Sequence, residues 1–239
     1  MVSEAYAQPV TVDSEAIFLA GALAVTEGFA VARQGVSTEV CELLQTETDR
    51  LMYLGDDRSR SMGGSRRALR LGVPRSFLEQ ALLSRPGLTT LHKTGAEIGD
   101  ALGAREPNMA VVNRFVNQSS SGRVEAGMVY AHQDPPHIEG MVAVVSLAKG
   151  TLGMYEPRTK EGRVVKGARV AQSEVNRGDV ALFPCADLCA RVGISQLMHE
   201  VVNSSEADTR KSVAYYYSSR GPLTLKSLFD LVRQRASAG

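Results

Sequence analysis

The spacing of apolar positions along the chain changes near residue 109. On the N-terminal side, apolar residues recur at intervals of three and four, which predicts amphipathic helices. On the C-terminal side, short apolar runs rich in β-branched residues are separated by Gly, Pro, Asn and Asp, which is typical of a β-sandwich or barrel. The pattern therefore predicts a helical N-terminal part followed by a β core.

This pattern predicts individual elements as well. Helices are predicted at Asp13–Glu27, Ser37–Leu54, Ser76–Leu83 and Thr89–Leu102, and an amphipathic helix at Thr224–Ala236. A short strand is predicted at Gly28–Ala32, and the strands of the core at Met109–Phe115, Met128–His132, Met141–Leu147, Gly153–Tyr155, Asp179–Phe183, His199–Val202 and Lys211–Ser218. Gly162–Val175 is expected to add one or two more strands.

One domain accounts for all 239 residues, because single β domains commonly reach about 200 to 250 residues. Its expected parts are a flexible terminus at 1–12, a mostly helical support at 13–105, a β core at 106–220 and the C-terminal helix within 221–239. The expected fold class is mainly β with flanking α-helices. The sequence carries no signal for a particular oligomeric state.

Charge and composition argue against several kinds of partner. The 27 basic and 26 acidic residues leave a net charge of +1, which favours neither nucleic acid nor an anionic membrane. No apolar run reaches the roughly 20 residues of a membrane span. Three irregularly spaced cysteines suit a reducing compartment, so we expect a cytoplasmic protein. Cys185 and Cys189 are expected to be buried thiols rather than half of a zinc site.

The segment Asp56–Arg75 contains six arginines around Gly63 and Gly64 and almost no apolar periodicity, which predicts a long loop. Three interpretations remain open. The segment is a solvated flexible loop, a lid that recognises an anionic substrate through guanidinium groups, or a nucleic-acid contact. The last has little support, since the segment has no aromatic residue on which a base could stack.

Candidate metal ligands follow the predicted strand Met128–His132. Alternate side chains of a strand share a face, so His132 and Asp134 are expected to point the same way. With His199 from a later strand they would form a 2-His-1-carboxylate triad, the ligand set of non-haem Fe(II) oxygenases. The sequence therefore predicts an Fe(II) site made by His132, Asp134 and His199.

The order of these parts resembles the Fe(II)/2-oxoglutarate-dependent dioxygenase superfamily. That pattern is His-x-Asp, a distant His, and Arg-x-Ser about ten residues later; here Arg210-Lys211-Ser212 begins eleven residues after His199. The resemblance implies a double-stranded β-helix, a jelly-roll of cupin type, over about residues 106–220. It also implies that Arg210 and Ser212 bind the far carboxylate of 2-oxoglutarate. A surface ion pair with Asp208 or Glu206 is the alternative for Arg210.

The resemblance implies an activity too: Fe(II), 2-oxoglutarate and molecular oxygen would hydroxylate or otherwise oxidise a small-molecule substrate through a ferryl intermediate, releasing succinate and CO2. The substrate would be anionic if the arginine segment closes over it. Alternatives are a nucleic-acid or protein oxygenase of the same superfamily and a non-oxidative cupin-type metal protein. Halogenation is not expected, since related halogenases have Gly or Ala where this chain has Asp134.

Several further residues are candidates for the cavity. Asn113 precedes Phe115 where the nucleic-acid repair branch of the superfamily has Asn-x-Tyr, so Asn113 is expected to contact the cosubstrate or substrate. Tyr130 is expected to share the face of His132 and to contact the cosubstrate as well. Tyr216 should share the face of Ser212, and His137 is a loop residue that could lie near the metal.

Overall fold

The computed structural model describes residues 11–54, 66–72, 89–104, 107, 109–116, 118–120, 123–125, 128–134, 140–204 and 209–217, and of 50–54, 66–72, 118–120, 123–125 and 209–210 the backbone alone. The predicted helices Ser76–Leu83 and Thr224–Ala236 and the candidate His137 lie outside the described residues. Within the described part, none of the helices combines the length and apolar character that crossing a membrane requires.

Helices and strands alternate at first and give way to strands later in the chain. The helices are α1 (Ser14–Glu27), α2 (Thr38–Leu54), α3 (Thr89–Ala101) and α4 (Ala186–Val192). The strands are β1 (Ala30–Ala32), β2 (Arg66–Gly72), β3 (Met109–Val116), β4 (Gln118–Ser120), β5 (Arg123–Glu125), β6 (Met128–His132), β7 (Met141–Ser146), β8 (Gly150–Lys160), β9 (Arg163–Val175), β10 (Val180–Pro184), β11 (Met198–Asn203) and β12 (Thr209–Tyr217).

Two antiparallel sheets form the core. The larger has the strand order β1-β10-β7-β12-β3-β2 and the smaller has the order β6-β11-β8-β9, while β4 and β5 pair with each other. Successive strands from β6 to β12 alternate between the two sheets in the manner of a jelly-roll, with only the tight β8–β9 hairpin kept in one sheet. The predicted fold class, mainly β with flanking helices around a double-stranded β-helix, is confirmed.

The helices pack against one face of the larger sheet, with α1 on β1 and β10 and α3 on β12. Tyr215 and Tyr217 are buried on that face and donate hydrogen bonds to the carbonyls of Leu91 (2.9 Å) and Gly95 (2.7 Å) in α3. The carboxylate of Glu47 in α2 accepts from the amides of Thr90 and Leu91 at the start of α3, at 2.9 and 2.8 Å. A helix N-terminus leaves amide groups without helical partners, so Glu47 joins the two helices where α3 begins.

The structure corrects the sequence prediction in the arginine-rich segment. Part of Asp56–Arg75 is not a loop, because residues 66–72 form β2, which pairs with β3 from Arg66 opposite Phe115 to Gly72 opposite Met109. A strand at a sheet edge can form through backbone hydrogen bonds to its neighbour without an alternating apolar pattern, and charged residues are common in such strands. The short helix α4 was also not predicted, and β8 extends well beyond the predicted Gly153–Tyr155.

Candidate metal centre and adjoining cavity

A cavity with about 600 Å³ of space, including the part open to solvent, lies between the two sheets. It is lined by side chains from both sheets. Most of the wall is apolar, with contributions from Val129, Val142, Val144, Leu152, Val175 and Val201. Apart from Tyr216, the polar side chains on the wall form two groups, and His132, Asp134 and His199 make up the first.

Two neighbouring strands of the smaller sheet supply these three side chains. His132 ends β6 and is paired with His199 of β11, and Asp134 follows His132 by two residues. One ligand atom from each side chain can be chosen so that all three lie within 4.8 Å of one another. Asp134 is buried, with 7% of its surface exposed, so its charge lies away from bulk water. The structure thus brings together the three residues predicted as metal ligands.

A β-bulge sets the direction of the His132 side chain. Between the pairs His199–His132 and Val201–Val129, β11 has one residue and β6 has two, Tyr130 and Ala131. The bulge carries the Tyr130 carbonyl to within 2.9 Å of His132 Nδ1. A carbonyl can only accept, so Nδ1 carries the proton and Nε2 keeps the lone pair that a metal requires.

His199 contacts two other rings. Its imidazole stacks on Phe183 of β10, with ring centroids 4.7 Å apart and planes 20° apart. The ring of His132 lies close to it in a tilted arrangement, with centroids 4.3 Å apart and planes at 56°. Phe183 is buried and belongs to the opposite sheet, so this contact connects the ligand strand of one sheet to the wall of the other.

The second polar group is a row across three strands of the larger sheet. Ser212 of β12 is paired with Asn113 of β3 on one side and with Ser146 of β7 on the other. All three are buried, and the Asn113 side-chain amide donates to Ser212 Oγ at 3.5 Å. Of Arg210 the backbone alone is described, in β12 opposite Phe115 and two residues before Ser212.

Comparison of the chain with known proteins gives matches in shape alone. No protein-family model and no curated protein matches the sequence. The non-heme alpha-ketoglutarate-dependent carbocyclase SnoK from nogalamycin biosynthesis superposes with a TM-score of 0.58 at 15% identity, covering 89% of this chain and 88% of that one. The epimerase SnoN, solved with Fe3+, alpha-ketoglutarate and nogalamycin RO, gives 0.56 at 15% identity, covering 87% and 85%. A Pseudomonas putida prolyl-4-hydroxylase gives 0.51 at 13% identity, covering 86% and 100%.

The chain has the fold of the Fe(II)/2-oxoglutarate oxygenases. The resemblance suggested by the sequence motifs is thereby confirmed at the level of the fold. At identities of 13 to 15%, the similarity assigns the architecture and leaves the chemistry to be argued from this chain's own residues.

Within this oxygenase fold, the predicted position of Tyr130 is wrong. Its side chain is 54% exposed and does not line the cavity, whereas Val129 does. The bulge is the reason, because the extra residue shifts the alternation so that Val129 and His132 share a face. Tyr216 does line the cavity, as expected from its position four residues after Ser212.

Among the residues that adjoin the candidate ligands or the polar row, sequence reasoning missed Phe183 and Ser146. Phe183 lies in an apolar strand in which no residue stands out, and its role depends on His199 arriving from another sheet. Ser146 ends β7, and only the pairing of β7 with β12 brings it beside Ser212. The sequence feature that could have indicated Ser146 as a cavity residue is its position as a polar residue at the end of an apolar run.

The cysteines lie outside the ligand group. All three are free and buried, which confirms the prediction made for Cys185 and Cys189. Burial raises the pKa of the Cys185 thiol, and the negative charge of Asp134 raises it further. Among the described residues, the group able to hold a metal is His132, Asp134 and His199, without a cysteine.

The donor set fits Fe(II). Two imidazole nitrogens and one carboxylate oxygen are the ligands of the facial-triad oxygenases, and thiolates would favour softer ions. The donor atoms are close enough together for one ion to reach all three. His132 already has the tautomer that coordination through Nε2 needs.

Proposed function

We propose that this protein is an Fe(II)- and 2-oxoglutarate-dependent oxygenase that oxidises a small-molecule substrate. The observation that carries the proposal is the convergence of His132, Asp134 and His199, from two paired strands, on one edge of a cavity between the sheets. A cupin that holds a metal only for structural purposes would not need an apolar cavity with a buried polar row beside its ligands.

His132, Asp134 and His199 would hold the iron. When bound, Fe(II) with 2-oxoglutarate and O2 supplies the oxidising power of this enzyme class, with succinate and CO2 as by-products. The protein's part is to fix the three donors. The Tyr130 carbonyl keeps the His132 Nδ1 proton in place, Phe183 holds the plane of His199, and burial keeps Asp134 beside them.

The polar row would bind the cosubstrate. Ser212 and Ser146 can each donate a hydroxyl hydrogen bond, and Asn113 has two amide protons, one of which already reaches Ser212. We assign the far carboxylate of 2-oxoglutarate to Arg210, because a guanidinium offers a planar pair of donors that matches a carboxylate. Its place two residues before Ser212 in β12 supports this assignment. The apolar walls would keep water out of the remaining space.

The proposed substrate is a small molecule. SnoK and SnoN, which share the fold, belong to nogalamycin biosynthesis, whereas the Pseudomonas enzyme is a prolyl-4-hydroxylase. The fold therefore occurs both in enzymes of small-molecule biosynthesis and in a prolyl hydroxylase. The near-neutral charge of the chain disfavours nucleic acid. That the substrate is anionic and that the protein is cytoplasmic remain predictions.

Binding and turnover test the proposal separately. Calorimetric titration with Mn(II), a redox-stable substitute for Fe(II), should show one site, and titration of the Mn(II)-loaded protein with 2-oxoglutarate should show a second binding event. Both should be lost in His132→Ala and Asp134→Ala. Arg210→Ala should keep Mn(II) affinity and lose 2-oxoglutarate affinity.

Matched controls are available in α3, away from the cavity. His92→Ala and Asp100→Ala remove the same side-chain types and should bind Mn(II) like the unaltered protein. With Fe(II) under air, the unaltered protein should convert 2-oxoglutarate to succinate, measured by NMR. Metal binding without any succinate formation, in the presence and absence of candidate substrates, would favour the cupin alternative instead.

A further inference from the structure

The ladder between the two ligand strands stops at the metal centre. Its last pair is His132 with His199, and Gln133 and Asp134 lie beyond the end of β6. Asp134 therefore lies outside the backbone pairing that fixes the two histidines relative to each other. Groups that fix the backbone beside a metal ligand help to hold its distance from the other ligands.

The side chain of Gln133 reaches across where the ladder ends. Its Nε2 donates to the carbonyl of Gln196 at 2.6 Å, across 63 positions of sequence. Gln196 precedes His199 by three residues, and Gln133 is the residue between His132 and Asp134. One side-chain hydrogen bond thus joins the two ligand-bearing segments beyond their last backbone pair.

The segment that accepts this bond is itself held in place. Leu197, next to Gln196, packs against Gly28 at the end of α1 so closely that a Cβ on Gly28 would lie 3.0 Å from Leu197 Cδ1. Gly28 has φ of 82°, which suits glycine. Gln133 is therefore attached to an anchored segment, and it adds no formal charge beside the ligands.

We propose that Gln133 is a positioning residue of the metal centre, which sets the place of the Asp134 carboxylate relative to His199 through its bond to Gln196. This inference rests on the proposed metal site and extends it to a residue that contacts no metal. Loss of hydrogen bonds behind metal ligands typically weakens metal binding by about 10- to 100-fold. We expect about tenfold here, because Gln133 acts through the adjacent backbone.

The test compares Gln133→Leu and Gln133→Met with Gln34→Leu. Gln34 is a matched control, since its Nε2 also donates to a backbone carbonyl, that of Arg177 at 3.0 Å, away from the cavity. Mn(II) affinity is measured by calorimetry, the Co(II) absorption spectrum reports the ligand geometry, and thermal unfolding is followed without metal. Both Gln133 variants should bind Mn(II) about tenfold more weakly with an altered Co(II) spectrum, while Gln34→Leu should match the unaltered protein in both.

The outcomes separate this inference from the proposed function. If the unaltered protein binds neither ion, the metal site and the role of Gln133 fail together. If it binds and the Gln133 variants match Gln34→Leu in affinity and spectrum, only the role of Gln133 fails. If both Gln133 variants lose the fold while Gln34→Leu keeps it, the bond serves general stability and the positioning role is overturned.

Discussion

Replacing Gly95 by alanine tests how tightly the helical layer is packed on the strand that borders the cavity. Gly95 is buried in α3, and its carbonyl accepts from the hydroxyl of Tyr217. A Cβ at this position would lie 2.8 Å from two ring carbons of Tyr215 and 2.9 Å from Cγ of Pro107. Tyr215 cannot easily move aside, since it is 1% exposed and its hydroxyl is bonded to Leu91.

Two opposing effects decide the sign. In a helix interior, alanine is favoured over glycine by about 1 kcal/mol. Overpacking of a well-packed core costs about 1 to 3 kcal/mol, and contacts on two sides of the new methyl place Gly95→Ala near the upper end. The expected net loss is about 1 to 2 kcal/mol in the free energy of unfolding. At about 2 to 4 °C per kcal/mol for a chain of this size, the melting temperature should fall by about 2 to 8 °C.

Urea unfolding of Gly95→Ala, Tyr215→Leu and the double variant measures the coupling directly. Removing the ring should relieve the overlap, so Gly95→Ala should be less destabilising, or even stabilising, in the Tyr215→Leu background. The coupling energy should be about 2 kcal/mol, at the upper part of the range for residues in contact. Stabilisation by Gly95→Ala alone, or an equal effect in both backgrounds, would refute the packing argument.

Two further predictions concern the thiols and the stacked ring. Burial raises the pKa of Cys41 and of Cys189 to about 11, so their thiols should not react with a disulfide reagent at pH 8 until denaturant is added, and rapid labelling of the native protein would contradict this. Because the folded pKa exceeds the ordinary value of 9.0, the stability that these thiols contribute should be present below pH 9 and lost as the pH rises towards 11. Phe183→Leu removes the ring that stacks on His199. It should reduce Mn(II) affinity several-fold, measured by calorimetry, and the free energy of unfolding by about 1 kcal/mol, measured by thermal unfolding. Unchanged Mn(II) affinity would show that the stack does not orient the ligand.

The sequence was sufficient to predict the fold class and to propose His132 and Asp134 as neighbours because strand patterns follow short-range rules, while the family resemblance supplied His199. Residues two apart on a strand share a face, which predicted that the side chains of His132 and Asp134 lie on the same side. A ligand set of imidazole and carboxylate restricts the choice of metal. The same rule separated Tyr216, which lines the cavity, from Tyr215 and Tyr217, which face the helices.

What the sequence did not reveal depends on pairing between distant segments. The β2 strand forms because β3 offers an open edge, and its own arginine-rich sequence has no strand pattern. Ser146 becomes part of the polar row only through the register of β7 on β12. The misplacement of Tyr130 has the same origin, since a bulge is a two-against-one pairing with β11 and leaves no mark in the sequence of β6 alone.

That bulge has an evolutionary consequence. The extra residue between Val129 and His132 both turns Val129 into the cavity and presents the Tyr130 carbonyl to the imidazole. Deleting one residue there would move the side chains of β6 that precede the bulge to the opposite face of the strand. Lineages that retain the ligands should therefore vary the amino acids at positions 130 and 131 freely, since only the backbone is used, while tolerating no change in their number.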